Sequence, residues 1–267
     1  MSVDFETVQR LTKDLRDAAI TLSTDEARFL VDAYYSMQGD RIRSSAQIRA
    51  LSESGEPHAV IQWLGEQSAT LEGQIKRALE QYAKHDPVGE WLLGIVGIGP
   101  VIAAGMLAHI DITKAPTVGH IWRFAGLDPT MKWEKKTKRP WNAALKVLCW
   151  KAGESFVKTS NHKDSAYGPI YKQRKEYEAA RNERGDLSDQ AALALTRKKI
   201  GKETEAFKSY SVGKLPLAHI HARACRYAVK LFLSHMHEKM YWNKFGVAPP
   251  LPYPIGVLGH AHQIASP

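Results

Sequence analysis

The 267 residues are 44% hydrophobic and 24% charged, a composition that can bury a sizeable core. Two widely separated cysteines, Cys149 and Cys225, exclude a disulfide framework and a CxxC motif. The charged start, Met1 to Arg16, lacks the apolar core of a signal peptide, so a cytoplasmic protein is expected. The net charge of +9 is uneven: −3 over residues 1–60, −2 over 61–131 and +13 over 132–240. A basic surface confined to one block favours a polyanionic partner, foremost nucleic acid. A solvated face and an anionic membrane surface are the competing readings.

Residues 5–19 read as a short helix. Thr24 reads as an N-cap with Asp25 and Glu26 in the first turn, where the helix dipole favours them. Phe29, Leu30, Ala33, Tyr34 and Met37 follow at helical spacing, and Gly39 is expected to end that helix. A third helix is expected from Asp40 to about Leu51, broken by Ser-Glu-Ser-Gly-Glu-Pro. The next, His58 to Lys84, carries a narrow stripe of Ile61, Leu64, Leu71, Ile75, Leu79 and Tyr82. Such a stripe fits a helix pair or short coiled coil, and a homodimer through this helix is expected; an ordinary bundle helix is the alternative.

After a break at His85-Asp86-Pro87, Trp91 to Ile110 contains no Asp, Glu, Lys or Arg. Twenty apolar residues can span a bilayer. However, Glu90 and His109 flank the stretch without a basic anchor, and no second span exists. Gly97-Ile98-Gly99 lacks the third glycine of a dinucleotide loop, and no GK[ST] follows. Two short helices meeting at a tight corner fit better, as a helix-hairpin-helix. Gly97 and Gly99 permit positive φ, Ile98 plugs the hairpin core, and Pro100 opens the second helix. Amides at that helix start, near Val101, can hold a DNA phosphate without reading sequence; a purely structural hairpin is the competing reading.

A loop at Asp111 to Pro116, a helix at Thr117 to Ala125 and a Gly126-Leu127-Asp128-Pro129 turn follow. Residues 130–141 form a basic loop. Lys132 precedes Trp133, and Lys135, Lys136, Lys138 and Arg139 lie between Trp133 and Trp141; the five offset one acid, Glu134. Cations contact phosphates, and indoles can stack on bases or anchor the loop ends. A helix over 142–158 adds Lys146 and Lys151. Helices are expected at 165–184, 188–208 and 216–242. In the last, His219, Arg223, Arg226, Lys230 and His237 fall near one line, a ridge that can follow a phosphate backbone or simply be solvated. The pairs His219/His221 and His235/His237 point apart on a helix, and neither can chelate one ion unaided; a site would need partners from elsewhere, such as Cys225 or the tail pair. The third such pair is His260/His262. No metal or cofactor is expected. Tyr167, Tyr171, Arg174, Tyr177 and Arg181 share a face best explained by packing.

From about Leu71 to Lys158 the chain resembles the C-terminal transposase domain of the insertion-sequence family one-hundred-and-ten transposases. The matching residues are LEGQIKRALEQY, GIVGIGPVIAAGMLAHI, HIWRFAGLDP, the basic loop and WNAALKVLCWKAGESF. The resemblance implies DNA recombination by an RNase-H-like domain with metal-binding carboxylates, a coiled-coil arm, a C-terminal domain with a serine nucleophile, and in many members a structured guide RNA. Residues 1–66 read as helices too short for an RNase-H-like fold, so Asp4, Asp25, Asp32 and Asp40 take no metal role. The serine expected after the turn is also absent: residues 130–133 are Thr, Met, Lys and Trp.

An all-α helical bundle is therefore expected, with a helical or coiled-coil arm (1–86), a helix-hairpin-helix transposase-like domain (87–160), a basic helical region (161–242) and a Pro-rich tail (243–267). The expected function is DNA binding in transposition or recombination, with DNA, and structured RNA as a further candidate, as partner and no membrane. The expected contacts are Gly97, Ile98, Gly99, Val101, Lys132, Lys135, Lys136, Lys138, Arg139, Lys146, Lys151, His219, Arg223, Arg226 and Lys230. The alternatives are an active recombinase completed by another chain or using Thr130 or Tyr167, and a helical scaffold.

Overall fold

The structure is a computed structural model, described for residues 9–56, 58–134, 136–197, 199–251 and 264–267, with only the backbone considered at Arg197. Among these residues there are α-helices and two short 3-10 turns but no strand, so the fold is an all-α bundle. The chain divides into two compact units: residues 1–94 with 98–111, and residues 95–97 with 112–267.

The first unit is built on an antiparallel helix pair. Helix α1 (Lys13–Asp17) is shorter than the expected 5–19 helix and passes into a 3-10 turn, Ala18–Thr21. Residues 1–8, Asp4 among them, lie outside the described residues. Helix α2 runs unbroken from Thr24 to Ser52. Its N-cap is Ser23, one residue before the expected Thr24, in a capping box with Glu26: Ser23 N–H donates to Glu26 Oε2 at 2.7 Å. Gly39 does not end the helix, because packing along the pair outweighs the roughly 1 kcal/mol penalty of an internal glycine. Helix α3 (Ala59–His85) lies against α2, with Ser44 facing Gly65 and Arg41 facing Glu72. Glu72 is buried but accepts hydrogen bonds from Gln38 at 3.1 Å and Arg41 Nη2 at 3.2 Å. The Arg41 hydrogen bond holds its carboxyl below the ordinary range.

Helices α4 (Pro87–Gly94) and α5 (Pro100–His109) complete this unit. Asp86 caps α4, its Oδ1 accepting from Val88 N–H at 2.7 Å and Gly89 N–H at 3.1 Å. Leu92, Ile98, Ala103, Ala104 and Met106 are buried. The apolar stretch is thus divided at residues 95–99 and buried by its neighbours. No helix among the described residues is long and apolar enough to cross a membrane. Arg28 Nε donates to Ala108 O at 2.8 Å and satisfies a carbonyl of the last turn of α5.

The second unit is organised by helix α11 (Leu217–Phe245), which runs past the expected end at 242 to a left-handed Gly246, φ +69°. Helices α6 (Val118–Phe124), α7 (Ala143–Lys158) and α8 (Tyr167–Glu183) pack on it. The expected 188–208 helix is two: α9 (Ser188–Arg197) and α10 (Glu205–Ser211). Thr204 starts the second by accepting Phe207 N–H at 3.2 Å, just beyond Gly201. Leu187, Ala191, Tyr210, Leu215 and Ile220 form a small core there. Phe156, Tyr167 and Phe232 form the main aromatic cluster, with centroids 4.7–5.5 Å apart. Tyr167 has no exposed surface, and its hydroxyl lies 2.8 Å from His235 Nδ1. It is a packing residue inside the fold and not a surface nucleophile.

Candidate nucleic-acid interface

Within the second unit, the turn after α6 places a group of cations. Gly126 adopts φ +65°. A Cβ there would stand 2.8 Å from Trp141 Cγ and 3.1 Å from Lys146 Cδ, so glycine lets the indole and lysine stem close over the turn. Asn142 N–H donates to Phe124 O at 2.8 Å, which ties the two ends of the 125–141 loop together. Asn142 also caps α7 by accepting Leu145 N–H at 2.9 Å.

The loop's tryptophans differ in environment. Trp141 sits over Gly126, with Lys146 Nζ 4.1 Å from its ring centre. Trp133 remains exposed, meets Trp141 edge-on at 6.3 Å, and donates from Nε1 to Thr137 O at 2.9 Å. Arg139 lies 5.7 Å over the Trp133 ring. Trp141 therefore anchors the loop, while Trp133 keeps a face open. Lys132, Lys136, Lys138 and Arg139 are all exposed, Lys136 with φ +77°. Lys135 lies outside the described residues.

The turn faces a cleft of about 440 Å³ between α7 and α11, lined in part by Asp128, Lys146, Trp150, Glu154, His221, Cys225 and Arg226. Burial first, and then the like charges of Arg139 and Arg226, hold the Lys146 ammonium below its ordinary range. Arg226 reaches solvent but lies along the cleft wall, where partial desolvation, and then the Arg223 charge, lower it as well. Asp128 belongs to the turn itself: it accepts Thr130 N–H at 2.9 Å and Thr130 Oγ1–H at 2.7 Å. These bonds hold its carboxyl below the ordinary range. A carboxylate so stabilised is a weak base, and it pins Thr130 rather than activating it.

The expected ridge on α11 is only partly open. Arg223 Nε donates to Glu178 Oε2 at 2.8 Å and its Nη1 to Gln190 at 2.9 Å. Lys230 Nζ rests 4.1 Å over the Trp122 ring, whose Nε1 donates to Lys230 O at 3.1 Å. His219 is 3.4 Å from the Tyr210 hydroxyl. His237 is buried, 2.8 Å from Ala115 O. Arg226 is the exposed member. The helical histidine pairs are each divided among separate partners, as their spacing requires; His260 and His262 lie outside the described residues. Lys151 is half-buried on α7, lowered by burial and then by Lys158.

At the α4–α5 corner, Gly97 takes φ +100°, while Gly99 is extended at φ −94°. Only the first glycine uses the left-handed region. Within the second unit, Gly97 O accepts Ser155 Oγ–H at 2.6 Å. Ile98 and Val101 are buried, so only their backbone can meet a ligand. Gly99 is the N-cap of α5 and brings no side chain to its first-turn amides.

Trp150 and Glu154 are the residues the sequence does not single out. Exposed Trp150 stands one turn after Lys146 on α7. Glu154, His221 and Cys225 converge with ligand atoms within 4.8 Å of one another. The four-residue spacing of His221 and Cys225 was a visible signal; the meeting with Glu154 from α7 was not.

Among the described residues the fold is all-α, and its second unit carries a cleft beside a glycine turn whose lining includes Lys146 and Arg226 as well as Asp128 and Glu154. Residues 89–153 match the model described as the transposase IS116/IS110/IS902 family. The match extends from α4 into α7 and takes in the corner, the FAGLDP turn and the basic loop, so this segment is similar to that transposase family. No curated protein and no solved structure matches the chain.

Proposed function

We propose that the protein binds DNA in transposition or recombination, with the Arg139–Lys146–Arg226 group as the centre of the phosphate contact. The carrying observation is that Lys146 and Arg226 line one cleft beside the Gly126 turn of the matched segment, with Lys132, Lys136, Lys138 and Arg139 exposed on the adjoining loop. An arriving phosphate gives these neighbouring cations a shared anion. Lys132, Lys136, Lys138 and Lys151 extend the footprint, Trp133 and Trp150 offer stacking faces, and Arg223, Lys230 and His219 steady the α11 side. The α4–α5 corner serves as a helix-hairpin-helix, gripping a second phosphate through amides near Gly97, Gly99 and Val101.

The test is fluorescence anisotropy with labelled duplex DNA across a salt series, with structured RNA as competitor. Lys146→Glu and Arg226→Glu are expected to weaken binding on every duplex and to flatten the log–log salt slope by about one per contact removed. Duplex binding that is absent at low salt, or unaltered in both variants, would sink the proposal.

A second copy is the further partner. Val60, Trp63 and Leu64 form an exposed i, i+3, i+4 stripe on α3, the pattern of a helix that docks another helix.

A further inference from the structure

We propose that Glu154, His221 and Cys225 bind a divalent transition-metal ion of the zinc class, with the fourth coordination position open to the cleft. Its three ligands come from this chain and require no DNA, although Lys146 and Arg226 line the same cleft. His221 and Cys225 are one turn apart on α11 and share a face; Glu154 reaches them from α7. His221 Nε2 lies 3.5 Å from Cys225 Sγ and 3.4 Å from Glu154 Oε1. Zinc–ligand bonds of about 2.0–2.3 Å at tetrahedral angles separate neighbouring ligand atoms by about 3.3–3.7 Å. The two spacings from Nε2 therefore match a common ion.

The outer contact also fits. Tyr171 Oη is 2.8 Å from His221 Nδ1. With Nδ1–H donating to that hydroxyl, Nε2 keeps its lone pair for the metal, the usual arrangement of a ligating histidine. One sulfur, one nitrogen and one oxygen donor suit zinc and disfavour magnesium or calcium, which prefer oxygen alone. Three protein ligands leave one position for water or an anionic oxygen. Arg226 and Lys146 line the same cleft and favour an anion there. On binding, the Cys225 thiol proton passes to solvent, and thiolate plus carboxylate balance the 2+ charge.

The test uses the full chain without an affinity tag, stripped with chelator and titrated with Co²⁺. Expected are a near-ultraviolet thiolate-to-cobalt band saturating at one equivalent and its loss on adding Zn²⁺. The chain has two cysteines, so the band must survive Cys149→Ser and vanish in Cys225→Ser. His221→Ala should weaken Zn²⁺ binding by more than tenfold, and Tyr171→Phe by about 10–100-fold. Far-ultraviolet dichroism of the metal-free variants checks folding. If Cys225→Ser does not fold, the wild-type and Cys149→Ser titrations decide alone. Absence of the thiolate band in wild type, or its loss in Cys149→Ser with the fold intact, overturns the proposal. Lys138→Glu, in the exposed loop and outside the cleft lining, should weaken duplex binding and leave this titration unchanged, so the two proposals fail separately.

Discussion

Glu178 is the most constrained charge in the second unit. Its side chain is 1% exposed, with Arg174 at 2.5 Å, Arg223 at 2.8 Å and Arg181 at 3.7 Å. Burial alone would raise its pKa, but the Arg223 hydrogen bond and the arginine charges outweigh this and lower it. Its folded pKa is thus below its unfolded one. The stability it contributes is full above the ordinary carboxylate range and is lost as pH falls through the folded value. Glu178→Gln should cost about 3–5 kcal/mol at neutral pH, because three arginines lose their anion. It should also flatten the acid limb of a plot of urea midpoint against pH; an unchanged limb would remove Glu178 from that role. Glycines give a second contrast. Gly97→Ala should lose about 1–3 kcal/mol, since it forces alanine to φ +100° and sets a Cβ 3.0 Å from Thr159 Oγ1. Gly99→Ala meets nothing within 4 Å at an ordinary φ, and should shift stability by less than about 1 kcal/mol. Thermal melts of the pair, side by side, check both.

At the scale of elements, what was legible followed local chemistry. Pro100 opens α5, Asn142 caps α7, and the Gly126 turn falls where Gly-Leu-Asp-Pro demands one. Errors arose where long-range packing decided. Gly39 looks like a stop but lies within α2, because α3 lies alongside and sustains the helix. The α9–α10 break came from Gly201 and the Thr204 cap inside a stretch whose composition reads helical throughout. Periodicity drew the basic ridge on α11, yet it does not reveal that Glu178 and Trp122 come from other helices to engage Arg223 and Lys230. The place of Glu154 beside His221 was hidden for the same reason, since the two are 67 residues apart. The α3 stripe gives its own prediction. Trp63→Glu with Leu64→Glu should convert a dimer to a monomer in light scattering after gel filtration, leaving helix content unchanged. A wild-type chain that is monomeric at high concentration would discard the α3 partner.

For the whole molecule, charge and shape are divided. The first unit is acidic overall in sequence and pairs its buried Glu72 with Arg41. The second carries the +13 block and the cleft. Long-range attraction to a polyanion must therefore originate in the second, and its strength should fall steeply with ionic strength. Gly99→Ala keeps the corner's neutral amides and removes no cation, so it should leave the salt slope of duplex binding unchanged; a shallower slope would place part of the cationic footprint in the first unit.

The bond between Asn142 N–H and Phe124 O has a further consequence. It fastens the basic loop at its neck, so residues 130–140 hang from a fixed ring of backbone. For a loop closed in this way, each doubling in length adds only about 0.6 kcal/mol of closure entropy. The segment can lengthen, shorten or change its charges while Trp141, Gly126 and α7 stay packed. Replacing residues 136–139 by a longer neutral linker should therefore leave the thermal melt nearly unchanged, the loop being a cartridge on an unaltered mount.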